Sequence, residues 1–287
     1  MSSQDKMLGI LSLFSDAKVE IGHDDVACTL GCSRATAYRY LKALADTGVL
    51  ASVSGGAYVL GPRIIELDRL IRRNDPLLTT ARPAMESLSA ELQASVMLCS
   101  YYGDQVLCTD SIWTQASERM DYERGRPMSM FAGAMAKVIL ANVSPYQLRG
   151  LMLHHAEEIR RAGLGENWKE FNANMQRIRR ERTCVTHAEV VPGLTGVAAP
   201  IFDPEKKVLG SITLVVSEKQ LTAASESLLR TRVADAAERI GEGLSALRSR
   251  SLGAQSAAVP AHQIATPRKN ATRQRSPDGP RIGVGPT

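Results

Sequence analysis

The chain has no run of 18 or more consecutive apolar residues, the length a membrane-spanning helix needs, so no spanning segment is expected in its 287 residues. Its opening, Met1-Ser2-Ser3-Gln4-Asp5-Lys6, lacks the basic-then-apolar layout of a secretory leader, and the expectation is a cytoplasmic protein without a membrane partner. Cysteine is scarce: Cys28, Cys32, Cys99, Cys108 and Cys184 are odd in number and scattered, whereas a disulfide scaffold is small and cysteine-dense. Reduced thiols are expected. Charge of one sign is also missing from most of the chain. The formal excess of +5 sits in the tail from Ser249, where Arg250, Arg268, Lys269, Arg273, Arg275 and Arg281 face a single acid, Asp278. The body before it is neutral, which argues against non-specific coating of nucleic acid, a mode that needs many phosphate contacts. Any DNA contact must come from a local cluster.

What is present is enough apolar residue, 44%, to fill real cores. Residues 7–14 form a short apolar run that suits a buried first helix. A second helix is predicted at about Asp24–Leu30. Gly31-Cys32-Ser33 then punctuates, and Ser33 is a good N-cap for a third helix running to Thr47 before Gly48. Two β-prone runs, 49–53 and 57–60, flank Ser54-Gly55-Gly56 and read as a hairpin. Helix, helix, turn, helix, hairpin is the order of a winged helix. Pro62 opens a helix through Arg73, and Pro76 another to about Gln93.

From Ser95 the pattern turns to strands: Ser95–Tyr102 and Gln105–Ser111 around Gly103-Asp104, with a third near Glu118–Glu123. Helices are predicted at about Ala132–Asn142, Pro145–Arg161 and Asn167–Arg182. Strands resume at Cys184–His187, Gly196–Phe202 and Lys207–Val216, and a helix from about Glu218 to Leu247 closes the folded part. Strands paired by short turns, with helices grouped between them, make this an α+β domain around an antiparallel sheet. The expected organisation is a DNA-binding winged helix-turn-helix over 1–61, a helical linker over 62–94, a second domain over 95–248 and a disordered basic tail over 249–287.

In the third helix Ala37, Leu41 and Leu44 repeat at helical spacing and face inward, whereas Arg34, Tyr38 and Lys42, with Thr36 and Arg39 beside them, project the other way. Three cations and no acid on one face of a helix suit the major groove, where arginine pairs with guanine and hydroxyls reach bases or phosphates. The candidate DNA-contacting residues are Ser33, Arg34, Thr36, Tyr38, Arg39, Lys42 and, in the wing turn, Gly55. The expected partner is a double-stranded DNA operator. Residues 7–60 resemble the winged helix of the IclR family of bacterial transcriptional regulators. Leu60-Gly61-Pro62-Arg63 resembles that family's exit from the wing, and residues 131–141 and 189–203 resemble the two signature stretches of its effector-binding domain. The likeness covers residues 7–247 in family order.

The resemblance implies a GAF-like C-terminal domain that binds a small metabolite, often an organic acid or aromatic catabolite, and acts on a dimer of winged helices. Matched residue by residue, it places Thr186, Glu189, Gly196, Thr213 and Val215 at the effector pocket beside Gly133, Ala134 and Met135. A helix beginning near Gly133-Ala134 offers unpaired backbone N–H groups to a carboxylate. Small-acid sensors of the family commonly carry an aspartate where Thr186 stands, a cysteine at Gly196 and serines at Thr213 and Val215. Replacing those groups with smaller or apolar ones lowers hydrogen-bonding capacity and opens room, so a larger, partly apolar or aromatic acid is expected rather than a compact one such as glyoxylate. Control of a catabolic operon follows, and a homodimer or dimer of dimers is expected because one winged helix offers few base contacts.

Two alternatives belong to other classes. A ligand-independent winged-helix DNA-binding protein would lack an effector pocket. An enzyme would need Cys184 with His187, or a metal at His154 and Glu158. Three apart on a strand, Cys184 and His187 point to opposite faces, and the His154 pair has no third ligand. No catalytic residue, metal or cofactor is expected.

Overall fold

Ser2 starts the first helix earlier than the apolar run suggests. In the computed structural model, which describes residues 2–102, 105–114 and 123–257, the Ser2 hydroxyl accepts the Asp5 N–H at 3.1 Å while the Asp5 carboxylate accepts the Ser2 N–H at 2.8 Å. Helix α1 therefore covers Ser3–Gly9, and Ile10–Leu13 forms a 3-10 turn with Ile10 buried. Helix α2 (His23–Leu30) ends at Gly31, whose φ of 57° continues no right-handed helix. Ser33 then caps α3 (Arg34–Asp46). Strands β1 (Leu50–Ser52) and β2 (Tyr58–Leu60) pair antiparallel around the glycine turn. Ala37, Leu41 and Leu44 do face inward, packed with Ile10, Ile21, Val26, Leu50 and Tyr58.

The chain leaves the wing through Gly61, where any side chain would collide with the carbonyl oxygens of Gly48 and Leu50. Helix α4 (Pro62–Asn74) buries none of its side chains. Helix α5 (Pro76–Leu92) is capped by Asp75, whose carboxylate accepts the N–H groups of Leu77 and Leu78. After it comes a six-stranded antiparallel sheet in the order β5-β4-β3-β8-β7-β6, formed by β3 (Ser95–Tyr102), β4 (Gln105–Ile112), β5 (Pro127–Met128), β6 (Cys184–His187), β7 (Leu194–Phe202) and β8 (Val208–Ser217). Between β5 and β6 lie α6 (Ala134–Leu140), α7 (Pro145–His154), α8 (Ala156–Arg161) and α9 (Trp168–Glu181), and α10 (Ala223–Ala257) follows the sheet.

Both faces of this sheet are covered. Val96, Leu98, Val197, Ile212 and Leu214 pack with α5 and α10, while Met97, Cys99, Cys108 and Val215 pack with α6 to α9. That is why the central strands read as nearly continuous apolar runs instead of alternating. The α+β antiparallel architecture is as expected, with local differences. The predicted helix 145–161 is two, broken at His155 where φ and ψ are −129° and 28°. Helix α6 starts at Ala134 rather than Ala132 because Gly133 sits at φ 84°. The strand expected near Glu118–Glu123 falls almost wholly outside the described residues, and the edge strand is the two-residue β5. The closing helix was expected to stop at Leu247, but α10 continues to Ala257. The chain divides into units at Met1–Arg248 and Ser249–Thr287, and the second is described only as helix through residue 257.

Candidate functional site

The seven candidate DNA-contacting residues fall into two groups by what already holds them. Ser33 and Thr36 serve the helix start: the Ser33 hydroxyl accepts the Thr36 N–H at 3.2 Å and lies 3.0 Å from the Thr36 hydroxyl. Arg34, Tyr38, Arg39 and Lys42 form the outward face of α3, and Gly55 turns the wing at φ 81°. Arg34 is not free, since its guanidinium pairs with the Asp24 carboxylate at 3.2 Å. Both partners are largely exposed, so the pair is weak and a phosphate or base edge can displace Asp24.

A residue that sequence reasoning missed supports this face. His23 stacks on the half-exposed Tyr38 ring, centroids 5.5 Å apart, and meets Tyr58 edge-on at 5.7 Å. Its Nε2 is buried without a hydrogen-bond partner. His23 therefore wedges between the basic helix and the wing strand. Arg34→Ala and Arg39→Ala are each expected to weaken operator binding by about 1–3 kcal/mol if the side chain pairs with a base, with the fold intact. Footprint titrations beside thermal melts check this.

All eight residues expected at the effector pocket line one cavity. Gly133, Ala134 and Met135 come from the start of α6, Thr186 and Glu189 from β6 and its exit, Gly196 from β7, and Thr213 and Val215 from β8. The sheet register explains the convergence: Thr186, Gly196 and Val215 are cross-strand neighbours, and Thr213 sits on the next row beside Met97. Met97, Val190, Val191 and Leu194 complete the lining, and the enclosed space is small, about 30 Å³, before it opens to solvent. Its walls are chiefly apolar. Trp168 lies elsewhere, packed on Phe171 with the Arg149 guanidinium over its ring.

One expectation about this cavity is overturned. The backbone N–H groups of Gly133 and Ala134 are not unpaired: the first donates to Glu189 Oε2 and the second to Thr186 Oγ1, each at 3.1 Å. The other Glu189 oxygen takes the Lys137 ammonium. Glu189, which lines the cavity, is thus already paired with a cation, Lys137, that is not itself part of the lining. A different group is unsatisfied, because the Thr213 side chain, 1% exposed, has no hydrogen-bond partner for its hydroxyl. A buried hydroxyl without a partner costs free energy that a polar ligand atom could recover.

The enzymatic candidates do not converge. Cys184 points inward, where burial pushes its thiol up to about 11, whereas the half-exposed His187 turns outward to Thr195 Oγ1 at 3.1 Å. The carboxylate of Glu158 meets His155 at 2.8 Å, not His154. Among the described residues no group of three or more His, Cys, Asp or Glu could hold a metal ion. No helix among them is long and apolar enough to cross a membrane.

Comparison with known proteins gives two family matches, the IclR helix-turn-helix domain over residues 3–54 and the C-terminal domain of bacterial IclR transcriptional regulators over residues 71–242. The HTH-type transcriptional regulator KipR of Bacillus subtilis is 24% identical over 82% of this chain and 94% of its own length. The Pca regulon regulatory protein of Pseudomonas putida is 23% identical over 75% of this chain and 74% of its own. A putative IclR transcriptional regulator from Silicibacter superposes with a TM-score of 0.70 at 23% identity, over 84% of this chain and 96% of that one. An IclR homologue from Microbacterium hydrocarbonoxydans, crystallised with 4-hydroxybenzoate, gives 0.64 at 18% identity, over 85% of this chain and all of that one. With a family match that takes in more than half of its length, ordered as winged helix and then sheet domain, the chain belongs to the IclR family of bacterial transcriptional regulators.

Proposed function

We propose that the chain is a cytoplasmic, ligand-responsive regulator that binds a double-stranded DNA operator, controls a catabolic operon, and senses a small organic acid, aromatic acids included. The observation that carries this is the largely apolar cavity lined by eight residues from four separate segments, among them Thr213, whose buried hydroxyl has no partner. The aromatic class draws support from the Microbacterium relative found with 4-hydroxybenzoate. Footprinting of one operator with a panel of organic acids tests the proposal. Protection without ligand that changes with one acid supports it, and protection indifferent to every acid leaves a ligand-independent DNA-binding protein.

The DNA-binding unit is a homodimer or a dimer of dimers. Helix α4 carries Ile65, Leu67, Leu70 and Ile71 on its surface, with Ile65 74% exposed, and a second copy would cover them. Two winged helices related by symmetry read half-sites spaced by the helical repeat. Light scattering is expected to give a dimer or tetramer at micromolar concentration, and a stable monomer both alone and with operator would count against it.

A further inference from the structure

Glu189 stands where an acidic effector would have to be held, and we propose that it is an internal placeholder which the effector's carboxylate displaces from Lys137. This rests on the acid-sensing role proposed above and supplies its regulatory step. Among the described residues Lys137 is the cation bonded to a cavity-lining residue, although it is not itself in the lining; its side chain is only 13% exposed, and Glu189 occupies it. The same carboxylate accepts the Gly133 N–H. A second carboxylate on the same ammonium is repelled by the first, so it gains little from Lys137 while Glu189 stays in place. An acid that enters must either expel Glu189 or forgo the cation.

The surrounding backbone suits expulsion. Glu189 lies on a short loop tied at its base, where the Ala188 N–H donates to the Leu194 carbonyl at 2.8 Å and the Glu218 N–H to that of Gly193 at 3.0 Å. The segment between can move without unzipping β6 from β7. Its ends are already in left-handed backbone, Ala188 at φ 50° and Gly193 at φ 78°, and the former is uncommon for a residue with a Cβ. The Glu189 side chain is 23% exposed and its neighbour Val190 40%, so the released carboxylate has a direct route to water. One anion replaces another on Lys137, and the cavity keeps its net charge. The consequence is a bound state that differs from the free one in the position of the Glu189–Val191 loop at the cavity mouth.

Calorimetry with benzoate and 4-hydroxybenzoate, each beside its neutral amide, tests the exchange on the full chain. Glu189→Gln keeps an acceptor for Gly133 and removes the competing charge. It is expected to bind one or both acids about tenfold or more tighter than the wild type, with the amides little changed. Lys137→Met is expected to lose acid binding while thermal melting shows the fold retained. Should Lys137→Met not fold, the Glu189→Gln comparison decides alone. Acid affinity unchanged or weakened in Glu189→Gln, or amides that bind wild type better than the acids do, would overturn the exchange while leaving a ligand-binding cavity. If no acid or amide binds either protein, the exchange fails together with the aromatic-acid assignment, and the broader operator panel then decides whether any effector exists.

Discussion

Replacing Ala37 with aspartate is expected to unfold the winged helix. Ala37 is fully buried on the inward face of α3, in a cluster with Leu41, Val26 and Ile10, and no charged residue is among the buried ones described. An uncompensated buried charge costs about 3–5 kcal/mol. A unit of about 60 residues has only ~3–9 kcal/mol in total at the usual stability per residue. Protonating the new carboxyl removes the charge but leaves a polar group without partners, in a space that held a methyl. The loss therefore approaches or exceeds what the unit has. Hydrogen exchange over residues 1–61 should rise to nearly unprotected rates, and operator affinity should fall by more than 100-fold, while amides of the six-stranded sheet stay protected. Arg39→Ala, on the opposite face of the same helix, should keep native protection. Wild-type protection of residues 1–61 in Ala37→Asp would mean the helix packs by another face.

How far the sequence disclosed the molecule depends on the range over which each feature is set. The winged helix was legible because its signals are local. Ser33 caps α3 through the residue three ahead, Gly31 and Gly55 hold positive φ where the chain turns, and Ala37, Leu41 and Leu44 show the buried stripe within one helix. The capping box that starts α1 at Ser2 and Asp5 was equally local, but the apolar run after it drew the boundary inward. The eight cavity residues came from family likeness; periodicity cannot place β6, β7, β8 and α6 around one space. What neither route disclosed is how the cavity's polar groups are paired. The Glu189 contacts with Gly133 and Lys137 join positions more than 50 residues apart and depend on tertiary geometry. His23 escaped notice for the same reason, since its ring bridges α3 and β2 only after both have docked.

Gly196 offers the sharpest test of whether the cavity is where the signal enters. It lies mid-strand in β7 without a positive φ, so a side chain there strains no backbone. A Cβ at this position would sit 3.5 Å from Ala134 Cβ and Thr186 Oγ1, and 3.9 Å from Thr213 Cγ2. Those are ordinary contact distances, so Gly196→Ala should fold normally and narrow the space by one methyl. Leucine would send three further carbons into the cavity, where a ring or carboxylate would otherwise lie. Gly196→Ala is therefore expected to weaken effector binding by about tenfold and Gly196→Leu to abolish it, a steric grading that lost hydrogen bonds would not produce. Enlarging Ala134 from the opposite wall should likewise abolish the response. Operator binding without effector should stay near wild type in all three, because the altered positions lie in the sheet domain and α3 is untouched. Reciprocity adds a second constraint: if the effector changes DNA affinity by some factor, operator must change effector affinity by the same factor. Gly196→Leu should bring both factors to one together. An effector response that survives Gly196→Leu undiminished would place the sensing site elsewhere, since no ligand of aromatic size fits beside a leucine at that position.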